Sequence, residues 1–185
     1  MWIASLIRMK RNRYSIPALI AGAICLTASA AGAGEFSGIL NGKSYHIGAS
    51  RDWNEDNYGL GIEYEFSSRS KWKRRLLANG FRDSSDDMSY MAGGGLYRNL
   101  FSTDRFDGFY VDAGINAFVM TRRDYNGNKP FPGMLPSLSI GNDVVGINVT
   151  YLPKLAVEKV YDAQMTDESI SGILFLQFKF SVNPD

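Results

Sequence analysis

The stretch Tyr58-Gly59-Leu60-Gly61-Ile62-Glu63-Tyr64-Glu65-Phe66 alternates between two kinds of side chain. Every second residue is aromatic or aliphatic, and the residues between them are glycine or glutamate. In a β-strand successive side chains point to opposite faces, so this period of two predicts a strand with one apolar and one polar face. Similar alternation recurs over 109–117, 145–151 and 174–180. The sequence therefore predicts an all-β fold.

Eight candidate strands follow from this pattern. They cover residues 43–50, 58–66, 74–82, 89–98, 107–118, 136–142, 144–152 and 171–181. Most are close to the roughly 9–11 residues that a tilted membrane strand requires, and eight is an even number, as in the smallest outer-membrane barrels. The sequence Gly-Asn-Asp over 141–143 predicts a tight hairpin. The longer connections, 119–135 and 153–170, are then expected at the opposite, outer end.

The first 33 residues have a different pattern. Basic residues without an acid (Arg8, Lys10, Arg11, Arg13) precede an apolar run over 16–26 and small residues over 28–33. This is the order of a secretory signal peptide, and the apolar run is shorter than the roughly 20 residues of a spanning helix. We therefore predict a cleaved signal peptide over 1–33 and a barrel over 34–185, exported to the bacterial outer membrane. A short membrane anchor is the alternative for the first region.

Alternation does not say which face of a strand points outward. A soluble barrel would bury the apolar face, whereas a membrane barrel would turn it towards lipid. The signal peptide and the glycine-rich polar faces favour an eight-stranded antiparallel transmembrane β-barrel of outer-membrane type, integral to the membrane. We also expect it to be a monomer. The formal charge of +1 gives no indication of a nucleic-acid partner. The basic run over 71–75 is interpreted as a solvated inner turn, with binding of anionic lipid as a second interpretation.

His46 is the only histidine and shares the polar face of its strand with Ser44. Because the only cysteine, Cys25, lies in the signal region, we predict no metal site and no cofactor. Asp83 and Ser84 follow the third strand at its outer end, where such residues are ordinary turn formers. Alternatively, a histidine near a carboxylate and a hydroxyl can act as general base on a substrate hydroxyl. The residues alone leave both interpretations open.

Several motifs together resemble the PagP family, the outer-membrane lipid A palmitoyltransferases. The stretch Phe81-Arg82-Asp83-Ser84 looks like the family's Phe-Lys-Asp-Ser, and His46 falls where the family's histidine stands. Asn54-Glu55 with the glycines that follow is similar to the family's Asn-Glu and glycine-rich second strand. The most specific similarity is the block Pro-Phe-Pro-Gly-Met-Leu-Pro-Ser-Leu-Ser-Ile-Gly over 130–141, followed by Thr-Tyr-Leu-Pro over 150–153.

The resemblance implies a barrel that moves a palmitoyl chain from a phospholipid donor to lipid A. It implies that His46 is the general base and that Asp83 and Ser84 act with it at the outer rim. Lipid A and the phospholipid would be the only partners needed, in the plane of the membrane.

The resemblance also implies substrate-binding positions. Pro136 and Pro153 match a gap through which lipid enters the family's barrels sideways, and proline suits such a gap because it removes a hydrogen-bond donor from the ladder. Gly95 falls near the family's pocket-floor glycine, where the missing side chain leaves depth for an acyl chain. The family has a second proline gap, but Asn57 stands where that proline is expected.

Two other functions remain as alternatives. A non-enzymatic barrel with a structural or binding role fits the alternation equally well, and a water-filled or salt-bridged interior would favour it. Convergence of His46, Asp83 and Ser84 above an apolar cavity would favour the acyltransferase. A lipid A deacylase fits less well, because Ile47 and Gly48 follow His46 and leave no His-x-Ser pair.

Overall fold

The computed structural model describes residues 34–50, 52–123, 125–156 and 169–182. The strands are β1 (Gly34–Ile47), β2 (Asp56–Phe66), β3 (Trp72–Arg82), β4 (Met88–Ser102), β5 (Tyr110–Thr121), β6 (Phe131–Gly141), β7 (Val145–Pro153) and β8 (Gly172–Ser181). Each strand pairs antiparallel with its neighbours, and β8 pairs with β1 to close the barrel. The predicted eight-stranded antiparallel barrel is confirmed. The predicted signal peptide over 1–33 lies outside the described residues.

The outer surface of the barrel is mainly apolar, whereas charged side chains are buried in its interior. Leu60 and Met134 are 73% and 68% exposed on the outer surface, whereas Arg75 and Asp112 are 1% and 0% exposed in the interior. A soluble barrel would show the opposite arrangement, so the outward faces are suited to lipid and the outer-membrane type of barrel is confirmed. Within the described residues, no helix is long and apolar enough to cross a membrane.

The connections differ at the two ends of the barrel. The end at which β1, β3, β5 and β7 finish is called the outer end, because outer-membrane barrels have long outer loops and short inner turns. The opposite, inner end holds both termini of the barrel. There the turn after β6 is closed by Asn142, whose Oδ1 accepts hydrogen bonds from the N–H groups of Val144 (3.0 Å) and Val145 (2.8 Å). The predicted hairpin at this turn is confirmed.

The prediction for the first strand was wrong at its start, which is Gly34 rather than residue 43. A β-bulge explains the error. Ser37, Ile39 and Asn41 face inward, but the pairing register with both neighbouring strands shifts directly after Asn41, and beyond the shift Ser44 and His46 face inward. Because the inward positions change from odd to even numbers, the strand has no single alternation from end to end.

The predicted bounds of the fifth and sixth strands also needed correction. The fifth strand, predicted over 107–118, runs from Tyr110 to Thr121, because Phe106, Asp107 and Gly108 adopt positive φ angles in the preceding turn. The sixth, predicted over 136–142, begins at Phe131. Its first residues include Pro132, which indicates a loop when the sequence is read alone, yet Pro132 pairs with Val119 of β5.

An ion-pair network fills the inner half of the barrel. Three cations face three carboxylates there: Lys73, Arg75 and Lys179 with Glu63, Glu65 and Asp112. Arg75 is at the centre, with its Nε 2.7 Å from Glu65 Oε2 and its Nη2 2.6 Å from Asp112 Oδ2. Lys179 Nζ lies 2.9 Å from Glu63 Oε1. The network therefore balances its formal charges inside the barrel.

This network corrects the interpretation of residues 71–75 as a solvated turn. Lys73 and Arg75 belong to β3 and point into the barrel, where the side chain of Arg75 is fully buried. Trp72 and Arg74, between and beside them, are exposed on the outer surface. Because successive side chains of a strand point to opposite faces, alternate residues of this basic run face the interior and the membrane.

We expect Arg75→Met to lower the free energy of unfolding by about 3–5 kcal/mol, because it leaves carboxylates buried without their central cation. Urea unfolding of the full chain in phospholipid vesicles measures the effect. Arg123→Met is the matched control, since Arg123 pairs with Asp87 at the surface and such pairs contribute only about 0–1 kcal/mol. Equal losses in the two variants would contradict a central role for Arg75.

Candidate functional site

The outer half of the barrel encloses an apolar cavity of about 280 Å³. Its apolar lining comes from the six strands β3 to β8 and includes Leu77, Phe81, Met91, Phe118, Met120 and Phe175. Asp83 and Ser84 reach it from the outer turn between β3 and β4. The interior is therefore divided, with charged groups in the inner half and a cavity in the outer half that ends beside a carboxylate and a hydroxyl.

Two hydrogen-bonded polar pairs form the floor of the cavity. Asn116 lines the cavity and exchanges hydrogen bonds with the Tyr97 hydroxyl, at 2.8 and 3.0 Å. Gln177 also lines it and donates a hydrogen bond from Nε2 to Asn41 Oδ1 at 2.6 Å. The Tyr97 ring in turn lies over the Arg75 guanidinium, 4.2 Å from Cζ to the ring centroid. The floor thus rests directly on the ion-pair network.

Gly95 faces the interior but is not part of the cavity lining. A Cβ atom on Gly95 would collide with Asn116 Oδ1 and would approach Tyr97 Cε2 to 2.6 Å. The missing side chain therefore makes room for the Asn116–Tyr97 pair. Gly95 shapes the floor through these two residues rather than by leaving open depth itself.

The barrel wall is open between β6 and β7 at the level of the cavity. Pairing between these strands covers Ser137–Gly141 and stops at Ser137 opposite Thr150, although β6 extends outward to Phe131. Pro136 is the first residue of β6 without a partner on β7, and Pro153 is the last residue of β7 without a partner on β6. Each is still paired with its other neighbouring strand. Residues on both sides of this opening line the cavity, including Leu135 and Leu152. The cavity is thus continuous with the outer surface of the barrel.

The wall between β1 and β2 stays closed at the corresponding height. Lys43 pairs with Asp56, the Ser44 N–H donates to the Glu55 carbonyl at 2.9 Å, and Lys43 Nζ lies 2.8 Å from Asp56 Oδ1. The side chain of Asn57, where the sequence lacks a proline, is buried and donates to the Arg82 carbonyl at 2.8 Å. This edge therefore has none of the separation found between β6 and β7.

Asp83 is buried and has hydrogen-bonding partners on both carboxylate oxygens. Its Oδ1 accepts from the N–H groups of Ser85 (2.9 Å) and Asp87 (3.2 Å), and its Oδ2 accepts from the Ser89 hydroxyl at 2.6 Å. Arg122 Nε lies 3.6 Å from Oδ2. These contacts fix the orientation of the carboxylate within the turn. Asp83 therefore holds the turn that carries Ser84 in place.

His46 lies at the outer rim in a cleft beside the cavity, next to the cavity-lining Ser44 on the same face of β1. Glu55 Oε1 accepts a hydrogen bond from the His46 backbone N–H at 3.0 Å and lies 3.4 Å from the ring Nδ1. The Trp53 ring stacks on the imidazole, with 5.4 Å between centroids and 11° between planes. When Nδ1–H faces Glu55, Nε2 is the basic nitrogen of the ring.

The three predicted catalytic residues are near one another but do not share one pocket. Asp83 and Ser84 line the cavity, while His46 lines the adjacent cleft. Asn54 joins the two regions, since it lines the cleft and its Nδ2 donates to the Asp83 carbonyl at 3.1 Å. In the described part of the chain, no group of three or more potential ligating side chains could hold a metal ion.

Two residues of the site were missed by sequence reasoning. Glu55 was noted only as part of a motif, and its contact with His46 depends on how the 48–55 connection folds back over β1. Arg122 gave no signal, because a basic residue at a strand end is usually solvated. Its pairing with Asp83 joins the outer ends of β3 and β5, which are not adjacent strands.

Comparison with known proteins identifies the relatives of this barrel. A family model described as "Antimicrobial peptide resistance and lipid A acylation protein PagP" matches residues 39–161, more than half of the chain. The chain belongs to the PagP family. The match begins within β1 and includes the cleft, the opening between β6 and β7 and all of the cavity lining except Ile173, Phe175 and Gln177 of β8. Membership of the PagP family together with the barrel fold points to the bacterial outer membrane.

Curated PagP proteins are similar over part of their length. "Lipid A acyltransferase PagP" of Laribacter hongkongensis is 31% identical over 103 residues, which are 55% of this chain and 48% of the relative. The protein of that name from Methylobacillus flagellatus is 28% identical over 100 residues, 54% and 52% of the two chains. The one from Bordetella pertussis is 30% identical over 121 residues, 62% and 64%. The chain thus spans from about half to just under two thirds of these PagP relatives.

We expect Gly95→Ala to lower the free energy of unfolding by about 1–3 kcal/mol, because its methyl group forces the Asn116–Tyr97 pair to move. Urea unfolding in vesicles measures this loss. Gly38→Ala is the matched control, since the nearest atom to its Cβ is 4.0 Å away. If Gly95→Ala were as stable as Gly38→Ala, the cavity floor would be more adaptable than these contacts indicate.

Proposed function

We propose that this protein is an outer-membrane acyltransferase that transfers a palmitoyl or similar long acyl chain from a phospholipid to lipid A. The observation that carries the proposal is the apolar cavity that opens sideways through the β6–β7 gap and ends at Ser84. A phospholipid acyl chain can enter such an opening without leaving the apolar phase. The proposal includes export by a signal peptide over 1–33 and action as a monomer.

The cavity suits an acyl chain because its walls are apolar and its floor is fixed. A chain that enters between β6 and β7 would contact Phe118 and Phe175 on the way to the Asn116–Tyr97 pair. Burying a methylene group from water contributes about 0.8 kcal/mol, but a membrane lipid already has its chain in apolar surroundings. Selection for length therefore depends on fit to the closed floor, to which Gly95 contributes through that pair.

The proposed chemistry starts at His46. The Nε2 atom takes the proton from a lipid A hydroxyl as its oxygen attacks the ester carbonyl of the phospholipid. The acyl–oxygen bond of the donor then breaks, the new ester forms on lipid A, and His46 Nε2 gives the proton to the oxygen that leaves with the lysophospholipid. Glu55 holds the imidazole in position, and the Ser84 hydroxyl donates a hydrogen bond to the ester carbonyl oxygen. Asp83 acts as a positioning residue for Ser84.

A non-enzymatic barrel is the second candidate function. It is favoured by the salt-bridged inner half of the barrel and by the position of His46 in a cleft beside the cavity. In that case the cavity would bind an acyl chain without transferring it. The two candidates differ in whether lipid A gains mass.

Mass spectrometry of lipid A tests the proposal in cells that express the full chain. We expect a gain of one acyl chain with the natural sequence and a rate lower by about 10²–10⁴-fold with His46→Ala, the usual contribution of a general base. Glu55→Gln keeps a hydrogen-bond acceptor and should retain more activity than Glu55→Ala. Lys129→Gln, on the exposed connection after β5, is the control with unchanged activity. Unmodified lipid A in cells with folded natural protein would favour the non-enzymatic barrel.

A second experiment tests the route of entry. Substitution of Pro136 and Pro153 together by alanine adds two N–H donors at the open edge. At about 1 kcal/mol for each new hydrogen bond, closure would be favoured by roughly thirtyfold. We expect slower acyl transfer without loss of stability, measured by lipid A modification and urea unfolding. Pro130→Ala, outside the gap, should leave the rate unchanged. A double variant as fast as the natural sequence would contradict entry through the β6–β7 opening.

A further inference from the structure

A second lipid-facing feature lies at the inner end of the barrel, away from the cavity. Near the inner end, the lipid-facing sides of β2, β3 and β4 bring together four residues, which we call the inner-end patch: Phe66, Trp72, Arg74 and Arg98. Trp72 is 50% exposed, and both arginines are exposed on the same surface as the apolar, lipid-facing side chains. The patch therefore places two cations on the membrane-facing side of the wall.

Strand register aligns each arginine with an aromatic ring. Arg98 is opposite Trp72, with its Cζ 5.9 Å from the indole centroid, and Arg74 is opposite Phe66, with its Cζ 5.4 Å from the ring centroid. These contacts hold the guanidinium planes along the barrel surface. The adjoining turn adds Arg69, which is exposed.

The patch differs from the interior network in lacking acids. Within the described residues, every ion pair of β3 involves Lys73, Arg75 or Arg82, and none involves Arg74. Arg98 likewise has no carboxylate within ion-pair distance in the part of the chain described here. Carboxylates of the barrel thus neutralise the inward-facing cations of this region. The outward-facing Arg74 and Arg98 have no such partner among the described residues.

The membrane supplies negative charge for these two arginines. An arginine on the lipid face of a barrel costs about 2–4 kcal/mol at the bilayer centre and about 0–1 near the interface, so these side chains extend towards the headgroups. Exposed tryptophan marks the same level in membrane proteins. A guanidinium group binds the oxygens of a phosphate with two parallel hydrogen bonds. Both features match the headgroup region of the inner leaflet.

We propose that the inner-end patch is a binding site for the phosphate headgroup of an anionic phospholipid in the inner leaflet. The two arginines bind the phosphate, and Trp72 packs beside the glycerol and upper acyl carbons. The site is at the opposite end of the barrel from His46 and is independent of the acyltransferase proposal. Its effect is to anchor one side of the barrel, β2 to β4, at a defined depth in the membrane.

Trp72 provides a direct test. In the full chain with Trp2→Phe and Trp53→Phe, Trp72 is the only tryptophan and reports on its nearest lipids. Phosphatidylcholine vesicles would contain a small fraction of brominated phosphatidylglycerol or, separately, brominated phosphatidylcholine. We expect phosphatidylglycerol to be enriched at Trp72 by about fivefold for each arginine that binds it. Arg74→Gln with Arg98→Gln should bring the two lipids to equal quenching.

The controls separate this site from general electrostatic attraction and from misfolding. Lys129→Gln removes a cation at the outer end and should keep the enrichment, and the shift of the folded band on unheated gels shows that each variant is a barrel. Equal quenching by both lipids before substitution, or enrichment that survives the double substitution, would overturn the proposal. Inorganic phosphate should lower the enrichment more than chloride of equal ionic strength does, because free phosphate competes with the lipid headgroup for the two arginines.

Discussion

A membrane leaves a strand no water with which to satisfy an unpaired N–H or C=O group, so a barrel must be paired all the way around. The longest stretch of described strand paired on one side only is the outer part of β6. Pro132 and Pro136 in that stretch have no N–H to satisfy, which lowers the cost of leaving the edge open. The opening between β6 and β7 depends on this local exception, and residues on both sides of it line the cavity.

The division of the interior reconciles two demands on a small barrel. A continuous cavity would leave little to hold the strands together from within, whereas a filled interior would leave no room for a ligand. The charges of the inner half are arranged around Arg75. Tyr97 connects this network to the cavity floor, because its ring lies over Arg75 and its hydroxyl is hydrogen-bonded to Asn116. The salt-bridged interior and the apolar cavity, set against each other in the sequence analysis as signs of different functions, occur together.

Much of the fold could be predicted because apolar and small or polar residues alternate along the strands of a membrane barrel. Apolar residues mark the outward face over most of each strand. The prediction failed where that rule has local exceptions, at the bulge in β1 and at the prolines that begin β6. Alternation also says nothing about which inward residues meet across the barrel. The cluster around Arg75 and the pairing of Arg122 with Asp83 depend on strand register and tilt, so neither could be derived from spacing. Glu55 lies in a loop, where no periodicity exists.

The bulge after Asn41 has a consequence for how such chains are compared. Before the bulge the odd-numbered residues of β1 face the interior, and after it the even-numbered residues do. The bulge, rather than the chemistry of the histidine, therefore determines that His46 faces the interior. A relative with one residue fewer in this segment could keep every neighbouring side chain and still turn its histidine towards lipid. A sequence alignment that ignores such a deletion would assign the role of the histidine to a residue that faces lipid.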